Sequence, residues 1–166
     1  MERLTGTKNL LIIAHRGASS KAPENTLIAY ETAWKHLADA IEIDLRKTKD
    51  GVLVCAHDNN FNRVSDSEKN ISESSYKLLS EIDIGSWKGK KYKDERVPKL
   101  EDVLSKIPKG KKIFIEVKEV TMNLDKLSKL ILNSNLKNTQ IHFLCYLPSV
   151  VKNIKKNFPD QKATLN

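Results

Sequence analysis

A chain of 166 residues, 39% hydrophobic and 30% charged, is long enough to bury one core and short for two, so a single domain spanning 1–166 is expected. No stretch approaches the roughly 20 apolar residues of a membrane helix, and the N-terminal MERLTGTKNLLIIAHRG has no signal-peptide layout, because its apolar run meets His15 and Arg16; no membrane insertion and a cytoplasmic location are expected. The net charge of +8 suits an anionic partner, whether nucleic acid, an acidic membrane surface or a phosphate-bearing metabolite, but the lysines fall in turns and helix flanks with no basic run interleaved with aromatics, which argues against nucleic acid and leaves a general preference for anions.

The first apolar run, LLIIAH (10 to 15), predicts a buried strand that ends on a histidine. Leu27, Tyr30, Trp34, Leu37 and Ala38 then share a helix face. Two more strand-like runs follow, AIEIDL (40 to 45) and VLVCAH (52 to 57). The RKTKDG between them signals a hairpin or, in a barrel, a tight parallel connection. Residues 59 to 97 are too long and polar for a simple connection, with one short helical piece from Tyr76 to Ile82; ordered insertions of this kind are usually lids or binding loops. Within them, KGKKYK, with Lys88, Lys90, Lys91 and Lys93, reads as a solvated loop or an anion-guiding one. Leu100, Val103, Leu104 and Ile107 form the next helix stripe behind Pro98, a good first helical residue. The strand IFIEVK (113 to 118) follows, then a stripe of Leu124, Leu127 and Ile131, the strand IHFLCY (141 to 146), a helix from Pro148 carrying Val150, Val151, Ile154 and Phe158, and a weak ATL strand. Cys55 and Cys145 sit inside apolar runs and read as core thiols. Alternating strands and helices predict an α/β protein with a largely parallel sheet.

Strand side chains alternate faces, so Glu42 and Asp44 point together, as do Glu116 and Lys118. His15 and His57 close their own runs. If these strands are parallel neighbours, their carboxyl ends deliver all six groups, with Arg16, to one rim. Buried carboxylates that meet need a cation: a hard divalent ion on Glu42, Asp44 and Glu116, or a salt-bridge cluster with Lys118 and Arg16. Arg16 offers a fork for a phosphate and Lys118 a point charge. Two imidazoles supply a general acid and a general base. The set amounts to a phosphodiesterase centre.

The runs HRGASSKAPENT, EIDLRKTKDGVLVCAHD, GSWKGKKYKDERVPKLEDVL and IFIEVK closely resemble the glycerophosphodiester phosphodiesterase family, within the wider group of barrels that includes phosphatidylinositol-specific phospholipase C. The resemblance runs from Leu11 to Lys118 and continues more weakly to Phe158. It implies a TIM-barrel-like (β/α)8 fold and metal-dependent hydrolysis of glycerophosphodiesters to glycerol 3-phosphate and an alcohol, with Ca2+ or Mg2+. Carried over by position, it implies catalysis by His15 and His57, metal binding by Glu42, Asp44 and Glu116, and phosphate contacts from Arg16 and Lys118. Glu24 and Asn25 would order the loop and cap the first helix, and residues 59 to 97 would be the family's insertion over the glycerol side. One wall departs from the family pattern, at Leu144, Cys145 and Tyr146.

A complete barrel of this type takes about 250 residues. Six of eight strands are therefore expected here, with two open sheet edges that invite self-association. A weakly active or inactive remnant or binding module, and a sphingomyelinase D-like enzyme, are the alternatives.

Overall fold

The computed structural model describes residues 10–165, so most of the N-terminal segment read for a leader lies outside the described residues. Among those described, no helix is long and apolar enough to cross a membrane.

Strand β1 (Ile13–Ala14) pairs in parallel with β2 (Ala40–Lys47), which pairs in parallel with β4 (Lys112–Val117), then β5 (Ile141–Cys145) and β6 (Lys162–Leu165). The remaining strand, β3 (Leu53–Cys55), returns antiparallel on β2, with Leu45 opposite Cys55 and Lys47 opposite Leu53. RKTKDG is thus a hairpin: Gly51 takes the left-handed φ of +77° that its turn requires, and Thr48 closes the loop by accepting from Val52 N at Oγ1 (2.9 Å). Six strands are present among the described residues, as expected, five in the parallel barrel path and one branching off it.

The crossover helices are α1 (Leu27–Lys35), α3 (Leu100–Ser105), α4 (Leu124–Asn133) and α5 (Pro148–Asn157); the short α2 (Tyr76–Leu79) lies in the insertion. They cover one face of the sheet, where Ile41, Ile43 and Leu45 of β2 meet Ile113 and Ile115 of β4 and Phe143 of β5 in one apolar cluster with Tyr30, Leu100, Leu127 and Ile154. Each of these aliphatic side chains is fully or almost fully buried, worth roughly 1.5–3 kcal/mol apiece. Alternation sends Glu42 and Asp44, and Phe114 and Glu116, to the opposite, concave face. The insertion has its own small core of Phe61, Ile71, Leu79, Ile84 and Val97 on Val54 and Ala56. Cys55 and Cys145 are buried free thiols, and burial pushes Cys55 up to about 12.

Three expectations need correction. The first run is not a buried strand: Leu10, Leu11, Ile12 and Ile13 are each more than 40% exposed, because β1 is a terminal strand of the sheet among the described residues and pairs only with β2. Asn25 does not cap α1. Thr26 does, accepting from Ala29 N at Oγ1 (3.3 Å), while Asn25 turns into the site. Pro98 is not the first residue of α3, which starts at Leu100 after the cap position Lys99, because Pro98 O is used to accept from Cys55 N and ties this segment to β3.

Candidate active site

The acidic half of the site follows from strand register. Asp44 and Glu116 are directly opposed across β2 and β4, and Glu42 lies two residues back on the same face. One oxygen from each of the three carboxylates lies within 4.8 Å of the others, and all three residues are buried. Lys118 leaves the end of β4, where its N donates to Leu45 O (3.2 Å), and puts its Nζ 3.0 Å from Asp44 Oδ1 and in contact with Glu116 Oε1. The Tyr146 ring lies 5.1 Å from the same ammonium.

Arg16 enters from the loop after β1. Its backbone is left-handed (φ 55°), a conformation that costs a non-glycine residue roughly 1–2 kcal/mol. It is held there by donation of Arg16 N to Glu42 Oε2 (2.8 Å) and of Asn25 N to Arg16 O (3.1 Å). Gly17 follows at φ +78°, so close to α1 that a Cβ would stand 2.7 Å from the Ala29 carbonyl carbon; only glycine fits. The guanidinium donates from Nη1 to Glu24 Oε1 (3.0 Å) and brings Nε within 3.2 Å of Asp44 Oδ2. His15, just before it, places Nε2 4.0 Å from Glu42 Oε2 with two thirds of its side chain exposed (66%). Asn25 completes the support: Nδ2 donates to Asp44 Oδ2 (2.8 Å), and Oδ1 accepts from Asp44 N (3.2 Å) and Tyr30 OH (3.1 Å).

Electrostatics follow from this crowding. Burial, then the neighbouring Asp44, pushes Glu42 up to about 8, with Glu116 adding to the rise against the Arg16 N–H. Burial opposes the charge of Lys118, but its ion pairs with Glu116 and Asp44 outweigh it and hold the ammonium above its ordinary value. Glu42 Oε1 is buried with no hydrogen-bond partner, and Asp44 Oδ1 has only the Lys118 ammonium nearby, outside hydrogen-bond geometry. Three hard oxygen donors, one of them orphaned and a second unbonded, fit a hard divalent cation. Two of the three carboxylates, Asp44 and Glu116, also form salt bridges with Arg16 and Lys118, whereas Glu42 takes only the Arg16 backbone N–H and the distant His15 ring, so the two sequence expectations overlap in part of one set of atoms.

His57 arrives differently from the sequence expectation. It does not close a parallel strand, because β3 runs antiparallel and Ala56 N donates to Asp44 O (3.0 Å); the hairpin carries His57 back alongside the acidic cluster. Arg46, two residues beyond Asp44 on β2, donates from Nε (2.8 Å) and Nη2 (2.6 Å) to His57 O and pins its backbone. His57 Nδ1 faces Asp58 Oδ1 at 2.8 Å. The insertion then returns Arg63, whose guanidinium reaches both Asp58 Oδ2 (3.0 Å) and Glu24. His57, Asp58, Arg63, Glu24 and Asn25 line one cleft with Phe61 and Ile84. Farther along, Lys88 Nζ donates to Ser19 O and Tyr92 OH to Lys21 O, both at 2.8 Å, so the KGKKYK loop is fastened to the loop after β1.

Sequence reasoning missed Asn25 as a clamp, Arg46, Asp58 and Arg63. Two of these carried a usable signal: extending the period-two reading along β2 puts Arg46 on the face of Asp44, and Asp58 adjoins His57 in AHD. The Glu24–Arg63 pairing, across 39 positions, has no local signature.

Comparison with known proteins decides the family. The model of the glycerophosphoryl diester phosphodiesterase family matches residues 15–147, a span that contains all the site residues expected from the sequence. The chain belongs to this family. It is 37% identical over 123 residues to a glycerophosphodiester phosphodiesterase of Bacillus subtilis, covering 69% of this chain and 42% of that one. It is 39% identical over 105 residues to one from Caldanaerobacter subterraneus, covering 63% and 42%. A phosphodiesterase of Oleispira antarctica, solved in complex with the product sn-glycerol-3-phosphate, superposes with a TM-score of 0.87 at 26% identity over 93% of this chain and 64% of that structure. The chain therefore spans less than half the length of these two curated relatives, and its sheet is that of an incomplete barrel of the family fold.

Proposed function

We propose that this chain carries the catalytic half of a glycerophosphodiester phosphodiesterase, releasing glycerol 3-phosphate and an alcohol. The observation that carries the reading is the buried triad of Glu42, Asp44 and Glu116, flanked by Arg16, Lys118 and His15, within the span that matches the family.

Glu42, Asp44 and Glu116 would hold Ca2+ or Mg2+, and Glu42 gives up its raised-pKa proton in doing so. A bound cation supplies charge stabilisation to a phosphoryl oxygen. The remaining work falls to the chain's own groups. Arg16, already fixed by Glu24 and Asp44, presents its guanidinium to the phosphodiester, and Lys118 adds a second positive charge on the opposite side of Asp44. An ionised Asp58 accepts from His57 Nδ1–H, so neutral His57 offers its Nε2 lone pair as the general base for a water or for the glycerol 2-hydroxyl. His15, exposed beside Glu42, protonates the leaving alkoxide. The insertion, fastened across Ser19 and Lys21, covers the glycerol side.

The same proposal takes the chain as one domain with an insertion at 59–97, located in the cytoplasm, where its buried free thiols stay reduced. It includes self-association through β1 and β6: Ile13 of β1, Leu11 and Ile12 just before it, and Leu165 of β6 are exposed. The second reading is a weakly active or inactive remnant or binding module of the same family. Incubation with glycerophosphocholine and either cation, followed by 31P spectroscopy, decides between them. Glycerol 3-phosphate is expected to form, to stop with chelator and to stop in His57→Ala; no release with either cation leaves the remnant reading.

A further inference from the structure

We propose that Arg63, supplied by the insertion, is a positioning residue for this reaction: through Asp58 it sets the orientation and tautomer of His57, and through Glu24 it steadies the guanidinium of Arg16. The inference rests on the reading of His57 and Arg16 as reacting groups given above.

One planar guanidinium grips two carboxylates. Arg63 donates from Nη1 to Glu24 Oε2 (2.5 Å), from Nη2 to Glu24 Oε1 (2.8 Å) and from Nε to Asp58 Oδ2 (3.0 Å). Each carboxylate has a second partner in the site. Glu24 Oε1 also accepts from Arg16 Nη1 (3.0 Å), and Asp58 Oδ1 meets His57 Nδ1 (2.8 Å). A continuous series of hydrogen bonds therefore runs from Arg16 through Glu24, Arg63 and Asp58 to His57. It links the loop after β1 to the hairpin without using the sheet.

The tautomer follows from donor counting. Against the effect of burial, His57 and Arg63 hold Asp58 below the ordinary carboxylate range, so it is ionised and only accepts. With Oδ2 held by Arg63, Oδ1 stays aimed at His57, and the neutral imidazole carries its proton on Nδ1. A free imidazole in water favours the opposite form. Without Arg63 the Asp58 side chain is released to rotate, and that preference returns.

The side chain of Arg63 is itself 46% exposed, so its hold comes from the two-carboxylate fork and not from burial. Its backbone is rigid nonetheless: Phe61, two residues earlier, is buried in the small core of the insertion, and Val64 N donates to Phe61 O (2.9 Å). Docking of the insertion and orientation of the proton acceptor are thereby one event.

The test is 15N spectroscopy of the His57 ring in the full chain, read beside turnover of glycerophosphocholine, for the parent, Arg63→Lys and Arg63→Met. The parent is expected to show Nδ1–H. Arg63→Met should show Nε2–H as its major form with kcat lower by about 10- to 100-fold, the usual loss when an outer partner of a site residue is removed. Arg63→Lys, which keeps the charge without the fork, should fall between, and it carries the comparison if Arg63→Met does not fold. A folded variant that keeps the parental tautomer overturns the proposal. A switched tautomer with undiminished kcat overturns its catalytic half and locates the fault in the reading of His57, since the positioning itself would have been seen.

Discussion

The two halves of the site are built by different means. The acidic half sits on adjacent parallel strands, where register alone opposes Asp44 to Glu116 and every carboxylate is buried. The histidine half is assembled from a hairpin and an insertion, through side-chain hydrogen bonds such as that of Arg63 to Glu24, which bridges 39 positions and includes an exposed partner. The first is rigid because moving one carboxylate means sliding a strand by two residues or flipping it to the other face. The second is more adjustable, since its links are one or two side-chain hydrogen bonds each, and its geometry depends on the insertion being docked.

That contrast can be broken most severely at Asp44. Asp44→Ala leaves Arg16, Lys118 and Asn25 without their shared acceptor, and should cost about 3–5 kcal/mol, as removal of one partner from a buried ion pair does. Denaturant unfolding measures that loss, and calorimetry should show no uptake of Ca2+ or Mg2+. The insertion should be the less affected half; loss of the Lys88–Ser19 and Tyr92–Lys21 fastenings in the same variant would merge the two regions.

Lys118→Met sharpens the comparison from the other side. The ammonium neutralises Asp44 and Glu116 where a metal would, so removing it should tighten divalent-cation binding about tenfold, from a ~1.4 kcal/mol gain in net attraction, while hydrolysis falls. Unchanged cation affinity would mean that Lys118 does not compete for those oxygens.

The pH dependence of the cation-free protein follows from Glu42. Its carboxyl is raised from 4.5 to about 8 in the folded state, so the folded chain binds more protons than the unfolded one within that interval. Stability should therefore decline as pH rises through that interval, and Glu42→Gln should remove this part of the decline. Thermal melts with chelator at pH 5.5, 7 and 8.5 check the sign, and adding cation should restore most at the highest pH. The smallest effect belongs to the α1 cap: Thr26→Ala should cost about 1 kcal/mol and leave cation binding intact, since Asn25 and not Thr26 reaches Asp44.

The carboxylate half was legible in the sequence because period-two alternation is local: IEIDL and IFIEVK each name their inward-facing residues once the strands are recognised. Most of each helix stripe was legible because its period is local too, and α5 begins at Pro148 as expected; the helix ends were not, for α1 stops at Lys35 and leaves the expected Leu37 exposed and left-handed (φ 62°) beyond it, and Ile107 and Phe158 lie past the ends of α3 and α5. That His57 would come near the strand carrying Asp44 was legible but not its route, since TKDG permits either a hairpin or a parallel step until a partner strand is chosen. The exposure of Leu10 to Ile13 was not legible either, as an apolar run reads alike at a sheet's centre and at its end.

Local chemistry along the chain, then, specified which residue types would meet: acids alternating on strands and imidazoles where apolar runs stop, with Arg16 after one and Asp58 after the other. The three-dimensional fold alone chose their partners, turning Asn25 from a cap into a clamp and drawing Arg63 between Glu24 and Asp58. Periodicity is a property of neighbours in the chain, whereas a hydrogen bond between distant side chains exists only after packing has fixed where both backbones run.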